Sequence, residues 1–353
     1  MRVLVFTNLK SQISFSDSTN INLNEPTHPY QGFNWTKLLS KKGYKIDYLN
    51  TSNSLKKNQS FIRKILNISY YDIVVFYSTN GFGKAFLCKL FNPKIKISFF
   101  LLSFSNPDGV YFKKIFRRFA CFFDCLISNK IFFGLNELRN SFPIKYLNKN
   151  KIEYYPFNTD SPFFRRQLDL KTNIILPEEF ILIAGDITRD DDYVYKELSN
   201  IKIPLIRVSR DPLVIQKVNG LYNKKRGDLI LSQISFADLA NLYNKSLINI
   251  VASKYDHWQP GGITTIVESL ACGGVNLINA NGILQQEFNH LSSLFHVDDP
   301  IIYYEYSNKG YLEKNVNIII NKNQKEINKL KSLAFNFAKI ALKIDISKIK
   351  LIN

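Results

Sequence analysis

The sequence predicts an α/β protein of two doubly wound, parallel-sheet domains facing each other across a cleft. Three observations lead there. The chain has 353 residues, which suits two domains of ordinary size, ~100 to 200 residues each, better than one core. Apolar runs of strand length alternate with helix-length segments, the pattern of a parallel sheet covered by helices. The alternation occurs twice, separated by one stretch without a clear period.

The first series opens with VLVF at Val3, preceded by a single basic residue, which reads as a buried strand and not as a signal peptide. Strand-like runs follow: YKIDYL from Tyr44, DIVVFYS from Asp72, IKISFFLL from Ile95, DCLISN from Asp124 and IEYYPF from Ile152. They define a Rossmann-like domain over residues 1–160. The linker FNTDSPFFRRQLDLKTNIILPEE carries Pro162 and Pro177 among mixed polar residues. The second series, over 161–353, has FILIAGD from Phe180, PLIRVSR from Pro204, DLILSQ from Asp228, INIVAS from Ile248 and VNLINA from Val275. Ile327, Leu330, Leu333, Ala334, Phe337, Ala338 and Ala341 share one face of a last helix, about 326–343. That helix is expected to pack on a domain, with a return onto the N-terminal one as an option.

Hydrophobic residues make up 45% of the chain, yet the unbroken apolar runs, such as Phe180 to Ala184, fall far short of the ~18 residues of a spanning helix. The expected location is therefore the cytoplasm. Cys88, Cys121, Cys125 and Cys272 lack paired metal-ligand spacing and read as ordinary reduced thiols. The net charge of +18 implies an anionic partner, namely nucleic acid, an acidic membrane surface or a phosphate-bearing substrate, or else reflects a Lys-, Asn- and Ile-rich composition. The excess is local. Residues 111–151 hold nine Lys or Arg against two acids. In YFKKIFRRFACFF, Phe112, Ile115, Phe116, Phe119 and Phe123 share one helical face, with Lys113, Lys114, Arg117 and Arg118 elsewhere. This is either a core helix with a solvated basic face or a helix that meets an anionic membrane.

Chemistry concentrates in QPGGITTIVESLACGGVNLIN, residues 259–279. A helix is expected from about Thr265 to Cys272, with Gly261, Gly262, Thr264 and Thr265 at its N-terminus. There the N–H groups and the positive dipole end form an anion site that glycines let a ligand approach closely. The competing reading is a capping box, Thr265 with Glu268, that only satisfies the helix end. The run Asp190 to Asp192, directly after Arg189, reads as a solvated or ion-paired loop, and no metal is expected.

The stretch DLILSQISFADLANLYNKSLINIVASKYDHWQPGGITTIVESLACGGVNLIN resembles the C-terminal half of group 1, family 4-like glycosyltransferases of the GT-B fold. ESLACGGV matches that family's EA.A.G.PV at Glu268, Ala271 and Gly273. YYPFNTDSPFFR is similar to its interdomain motif, FILIAGDITRDDDYVYKEL to the strand-loop-helix that opens the nucleotide-binding domain, and PYQGFNWTKLLSKKGYKIDYL to its first glycine loop, with Gly32 at the glycine. The resemblance implies an N-terminal acceptor-binding domain and a C-terminal nucleotide-sugar domain. It implies Glu268 on the donor ribose, Arg189 on the diphosphate and Lys196 as nearest counterpart of the family's lysine. Pro260 stands eight residues before Glu268, where the family carries an acid. His257 and Gln259 are candidates to read the sugar in its place, a plain loop histidine being the other reading of His257.

The implied function is transfer of a sugar from a nucleotide-diphosphate sugar to a glycan or lipid-linked acceptor. A place in bacterial surface polysaccharide or lipopolysaccharide biosynthesis, retention of configuration, and no metal or other cofactor are the further expectations. If configuration inverts, a base is required, and His28 or Asp108 are the candidates, both also readable as turn residues. A lipid-linked acceptor and segment 111–151 together imply a peripheral position on the inner face of the membrane. The alternatives are a nucleotide-sugar 2-epimerase of the same fold and a polyanion- or nucleic-acid-binding protein, with a DNA-modifying glycosyltransferase between them. Nucleic acid is not expected as a partner, because no recognised nucleic-acid module appears.

Overall fold

The computed structural model describes residues 1–7, 43–50, 67–77, 84–101, 111–136, 144–155, 174–185, 189–232, 234–253, 262–280, 282–306 and 309–342. They form two compact units, each with its own sheet.

The first unit contains β1 (Arg2–Thr7), β2 (Lys45–Asn50), β3 (Ile73–Tyr77), α1 (Lys84–Phe91), β4 (Lys96–Leu101), α2 (Tyr111–Ile127), β5 (Lys130–Phe133) and β6 (Ile152–Tyr154). The strands pair in parallel in the order β2-β1-β3-β4-β5-β6. Strands covered on both faces need no polar alternation, which is why β1 and β3 read as continuous apolar runs. The period of two still sorts their side chains. Val3, Val5, Ile73, Val75, Phe100 and Phe132 fill one face, while Phe6, Phe76 and Phe99 stack on the other at 4.8 Å between successive rings.

One expectation for this unit needs correction. DCLISN is not a strand. Cys121, Asp124 and Cys125 continue the buried face of α2, the Ser128 N–H and hydroxyl both donate to the Cys125 carbonyl, and the strand is the next run, KIFF. Of the apolar stripe of α2, whose direction the sequence left open, Phe116, Phe119 and Phe123 lie on the exposed side of the helix.

The second unit contains β7 (Ile181–Ala184), α3 (Asp191–Glu197), β8 (Leu205–Val208), α4 (Pro212–Asn219), β9 (Leu229–Leu231), α5 (Phe236–Lys245), β10 (Ile248–Val251), α6 (Ile263–Ala271), β11 (Asn276–Asn279), α7 (Ile283–Phe295), β12 (Ile301–Tyr304), α8 (Tyr311–Ile320) and α9 (Gln324–Ala341). All its strands are parallel, in the order β12-β11-β10-β7-β8-β9. The strand order reverses between β7 and β10, the switch point where such sheets bind ligands outside their carboxyl ends. The sequence reading missed β12, whose IIYY follows Asp299 and Pro300; the Asp299 carboxylate accepts the Ile301 N–H at 2.9 Å.

Three local devices hold the switch-point strands in place. Arg207 on β8, 0% exposed, makes a two-pronged ion pair with Asp191 at the start of α3, 2.7 and 3.2 Å, and donates to the Gly185 and Val208 carbonyls, both at 2.6 Å. At the other end of α6, the Gly274 N–H bonds the Ser269 carbonyl at 2.7 Å and the Gly273 N–H that of Leu270 at 2.9 Å, a Schellman turn with Gly273 at φ +75°. A Cβ on Gly274 would stand 2.3 Å from the Ser269 hydroxyl, so the second glycine is required by close approach, not by φ. Finally, α9 opens on a capping box of Asn323 and Glu326 and packs on α6 and α7 of its own unit, Lys331 reaching the Asn244 carbonyl at 2.6 Å.

Candidate functional site

Strands β7 and β10 run side by side and send their connections to α3 and α6. Beyond the strand ends the two connections touch again. Arg189 and Ser253 form an antiparallel bridge, and the Asp190 N–H bonds the Ala252 carbonyl at 2.9 Å. Backbone geometry thus delivers Arg189 to the switch point. Its guanidinium is then fixed from three sides: Nε donates to the Ala184 carbonyl at 3.0 Å, one terminal nitrogen to Ser253 Oγ at 3.3 Å, and the other to Thr265 Oγ1 at 3.1 Å. Two glycines make room for it. A Cβ on Gly185 would fall 2.8 Å from the guanidinium, and one on Gly262 3.1 Å from it and 2.5 Å from a methyl of Val251. Gly262 also sits at φ +106°, where side chains are strained.

The start of α6 differs from the sequence expectation. The helix begins at Ile263, two residues earlier than read, with Gly262 as N-cap and no capping side chain. Thr265 is therefore the third helical residue and not the cap, so the Thr265–Glu268 capping box does not form. The Thr265 hydroxyl faces Arg189 instead. First-turn N–H groups of a helix have no intrahelical partner, so the positive end of α6 and a held guanidinium lie together. Thr264, in the same turn, is partly exposed.

Glu268 lies one turn deeper, 2% exposed, and accepts the hydroxyl of Tyr243 at 3.3 Å. Burial pushes the Tyr243 hydroxyl well above its usual range, the neighbouring carboxylate adding to the effect, so it remains a donor that orients Glu268. The acid run after Arg189 is engaged in structure. Asp190 caps α3 through the Tyr193 N–H and accepts the hydroxyl of Tyr306; Asp191 pairs with Arg207, and Asp192 pairs with Lys217 at the surface. Tyr193 and Tyr306 pack against each other beside Asp190, ring centres 4.5 Å apart and planes tilted by 38°.

Of the residues singled out in sequence, the structure brings together Arg189, Gly262 and Thr265, with Glu268 behind them. Lys196 stands exposed in the last turn of α3, about 7.5 Å along the axis from its start at a rise of 1.5 Å per residue. Gly32, His28, Asp108, His257, Gln259 and Gly261 lie outside the described residues. Sequence reasoning passed over Ser253, Gly185, Tyr243 and Arg207 as site components. Gly185 had a readable signal, a glycine directly after a buried strand. Arg207 had none, since an arginine inside LIRV looks like an edge residue until Asp191 is placed beside it.

A guanidinium without freedom to swing, at a helix N-terminus and beside two crowded glycines, suits an anion that accepts several N–H bonds at once, as a phosphate does.

No family model and no curated protein sequence matches the chain. Solved structures do. The chain is similar to sucrose-phosphate synthase from Thermosynechococcus elongatus, with a TM-score of 0.67 at 11% identity, covering 97% of this chain and 95% of that one. It is similar to Anabaena HepE in complex with UDP and glucose, TM-score 0.63, 12% identity, 98% and 96% covered. A third is an α-glucosyltransferase in complex with UDP and a 13-mer DNA containing an HMU base, TM-score 0.56, 12% identity, 97% and 94% covered. At these identities the likeness establishes the fold, that of GT-B glycosyltransferases, in agreement with the resemblance stated from sequence.

Proposed function

We propose that this chain is a glycosyltransferase that moves a sugar from a nucleotide-diphosphate sugar to a glycan or lipid-linked acceptor. The observation that carries the reading is the Arg189 guanidinium, held by Ala184, Ser253 and Thr265 at the switch point and beside the N-terminus of α6. In the reaction the bond between the anomeric carbon and the phosphate oxygen breaks and leaves its electron pair on the diphosphate. The acceptor oxygen bonds that carbon, and its proton passes to the departing phosphate oxygen, an arrangement that retains configuration. Charge develops where Arg189 and the helix end already stand, and fixed donors aimed at developing charge are a large catalytic term. In this proposal that positive charge replaces a metal. Glu268, oriented by Tyr243, takes the ribose hydroxyls, and Gly262 admits the diphosphate. Two of the similar structures carry UDP in their descriptions, which makes a uridine nucleotide the first donor to try. A lipid-linked acceptor of surface polysaccharide assembly would place the enzyme at a membrane.

The test is calorimetric titration and thermal melting with UDP, GDP, ADP and TDP in EDTA. A nucleotide at 100 times its Kd adds about 2.7 kcal/mol, or about 5 to 11 °C for a domain of this size. Arg189→Met is expected to abolish the shift. If no nucleoside diphosphate binds the parent chain, the reading fails.

A further inference from the structure

The α1–α2 face of the first unit carries an apolar surface that nothing in the chain covers among the described residues. Phe86, Leu90 and Phe91 on α1 and Phe116, Phe119 and Phe123 on α2 are each between 51% and 74% exposed. On α2 these positions follow a spacing of three and four, one stripe within about 60° at 100° per residue. The buried residues Cys121, Asp124 and Cys125 define another side of the same helix. The two helices pack together, and Asp124 locks them by accepting the Phe86 N–H in the first turn of α1 at 3.2 Å. The rings therefore stand on a braced two-helix platform. Scattered exposed apolar residues are ordinary, but an adjoining set of this size marks an interaction surface.

The border of the platform is basic. Lys151 donates to the Leu126 carbonyl at the end of α2 at 3.0 Å, and Lys89 on α1 lies close enough to it that its ammonium is held below the usual lysine range, by burial first and by Lys151 second. Lys94 stands exposed where the chain leaves α1. From residue 84 to 151 there are thirteen Lys or Arg against three Asp or Glu, and one of those acids, Asp124, is buried.

We infer that this face docks on an anionic lipid bilayer, the phenylalanines and leucines entering the headgroup boundary and the lysines meeting acidic headgroups. Charge decides between the possible occupants. A second copy of a +18 chain would bring basic border against basic border, whereas an acidic bilayer complements it. This inference stands on exposure and charge and does not depend on the transferase reading, although a lipid-linked acceptor would give it a purpose.

The experiment is flotation of the full chain with vesicles of 70% phosphatidylcholine and 30% phosphatidylglycerol at 50 mM salt, beside pure phosphatidylcholine vesicles. Binding is expected to the acidic vesicles, at least tenfold weaker without phosphatidylglycerol or at 0.5 M salt. Phe116→Ser/Phe119→Ser/Phe123→Ser is expected to lower the partition coefficient at least a hundredfold while melting temperature and nucleotide binding stay near parent values, since all three rings are more than half exposed. Two results would overturn the inference: a parent chain that ignores acidic vesicles, or one that forms a dimer by light scattering which the triple substitution dissolves. Nucleotide binding measured on the same preparation keeps this failure separate from a failure of the transferase reading.

Discussion

Gly262→Ala probes the site's most crowded point. The φ of +106° puts an alanine in the left-handed region, a strain of about 1 to 3 kcal/mol. Its Cβ also arrives 2.5 Å from a Val251 methyl and 3.1 Å from the Arg189 guanidinium. Val251 is fully buried on β10 and has nowhere to recoil, so overpacking adds about 1 to 3 kcal/mol. The sum, about 2 to 6 kcal/mol, corresponds to a fall of roughly 4 to 24 °C in the melting of the second unit at 2 to 4 °C per kcal/mol. The same Cβ presses on the held guanidinium, so the nucleotide shift is expected to shrink as well. Differential scanning calorimetry of Gly262→Ala, Val251→Ala and the double variant separates the two terms. Removing the Val251 methyls relieves the overlap but not the φ, so the double variant should be less destabilised than the sum of the singles by about 1 to 3 kcal/mol. A Gly262→Ala protein that melts within 1 °C of the parent and keeps the full nucleotide shift would refute the packing argument.

Arg207→Met is expected to cost about 3 to 5 kcal/mol in urea unfolding, because Asp191 is left buried without its partner, and adding Asp191→Asn should return most of the loss; equal stabilities for the single and double variants would count against the brace. Thr265→Val removes a hydroxyl bonded to the guanidinium, about 1.5 to 3 kcal/mol, and should weaken UDP binding about 10- to 150-fold in the calorimeter while Thr265→Ser retains it. All four thiols are buried, and burial pushes Cys88 up to about 12. At pH 8 the folded chain should therefore release no colour with a disulfide reagent over minutes, and four equivalents once denatured; rapid labelling of any one cysteine in the folded chain would contradict its burial.

The strands of the second unit were readable because β7, β8, β10 and β11 are short apolar runs with glycine or polar residues beyond their ends. Where the reading failed, local pattern and tertiary context disagreed. Cys125 and Leu126 look like strand residues, but Asp124 has its partner on α1 and carries the helix onward. For Phe116, Phe119 and Phe123 the reading stayed open between core and surface, because periodicity alone cannot say whether an apolar stripe faces inward. At the site, Thr265 and Glu268 match a capping box in spacing, yet Gly262 starts the helix two residues earlier and turns the threonine toward an arginine. Arg189 was legible only through family likeness; Ala184 is near it in sequence, but its two side-chain anchors, Ser253 and Thr265, belong to other segments, and no local window contains them.

Those separations have a consequence for how the site comes into being. Ser253 and Thr265 lie 64 and 76 residues beyond Arg189. Long-range pairings of this kind form late, after the intervening loop has been closed. During synthesis the arginine therefore emerges well before its two side-chain anchors, and on the proposed reading the second unit would hold a phosphate only once α6 has left the ribosome and docked. Ligand affinity in this half of the chain would then serve as a reporter of finished folding, and on the proposed reading a truncation that stops before residue 262 should be blind to nucleotide however well β7 and β8 are formed.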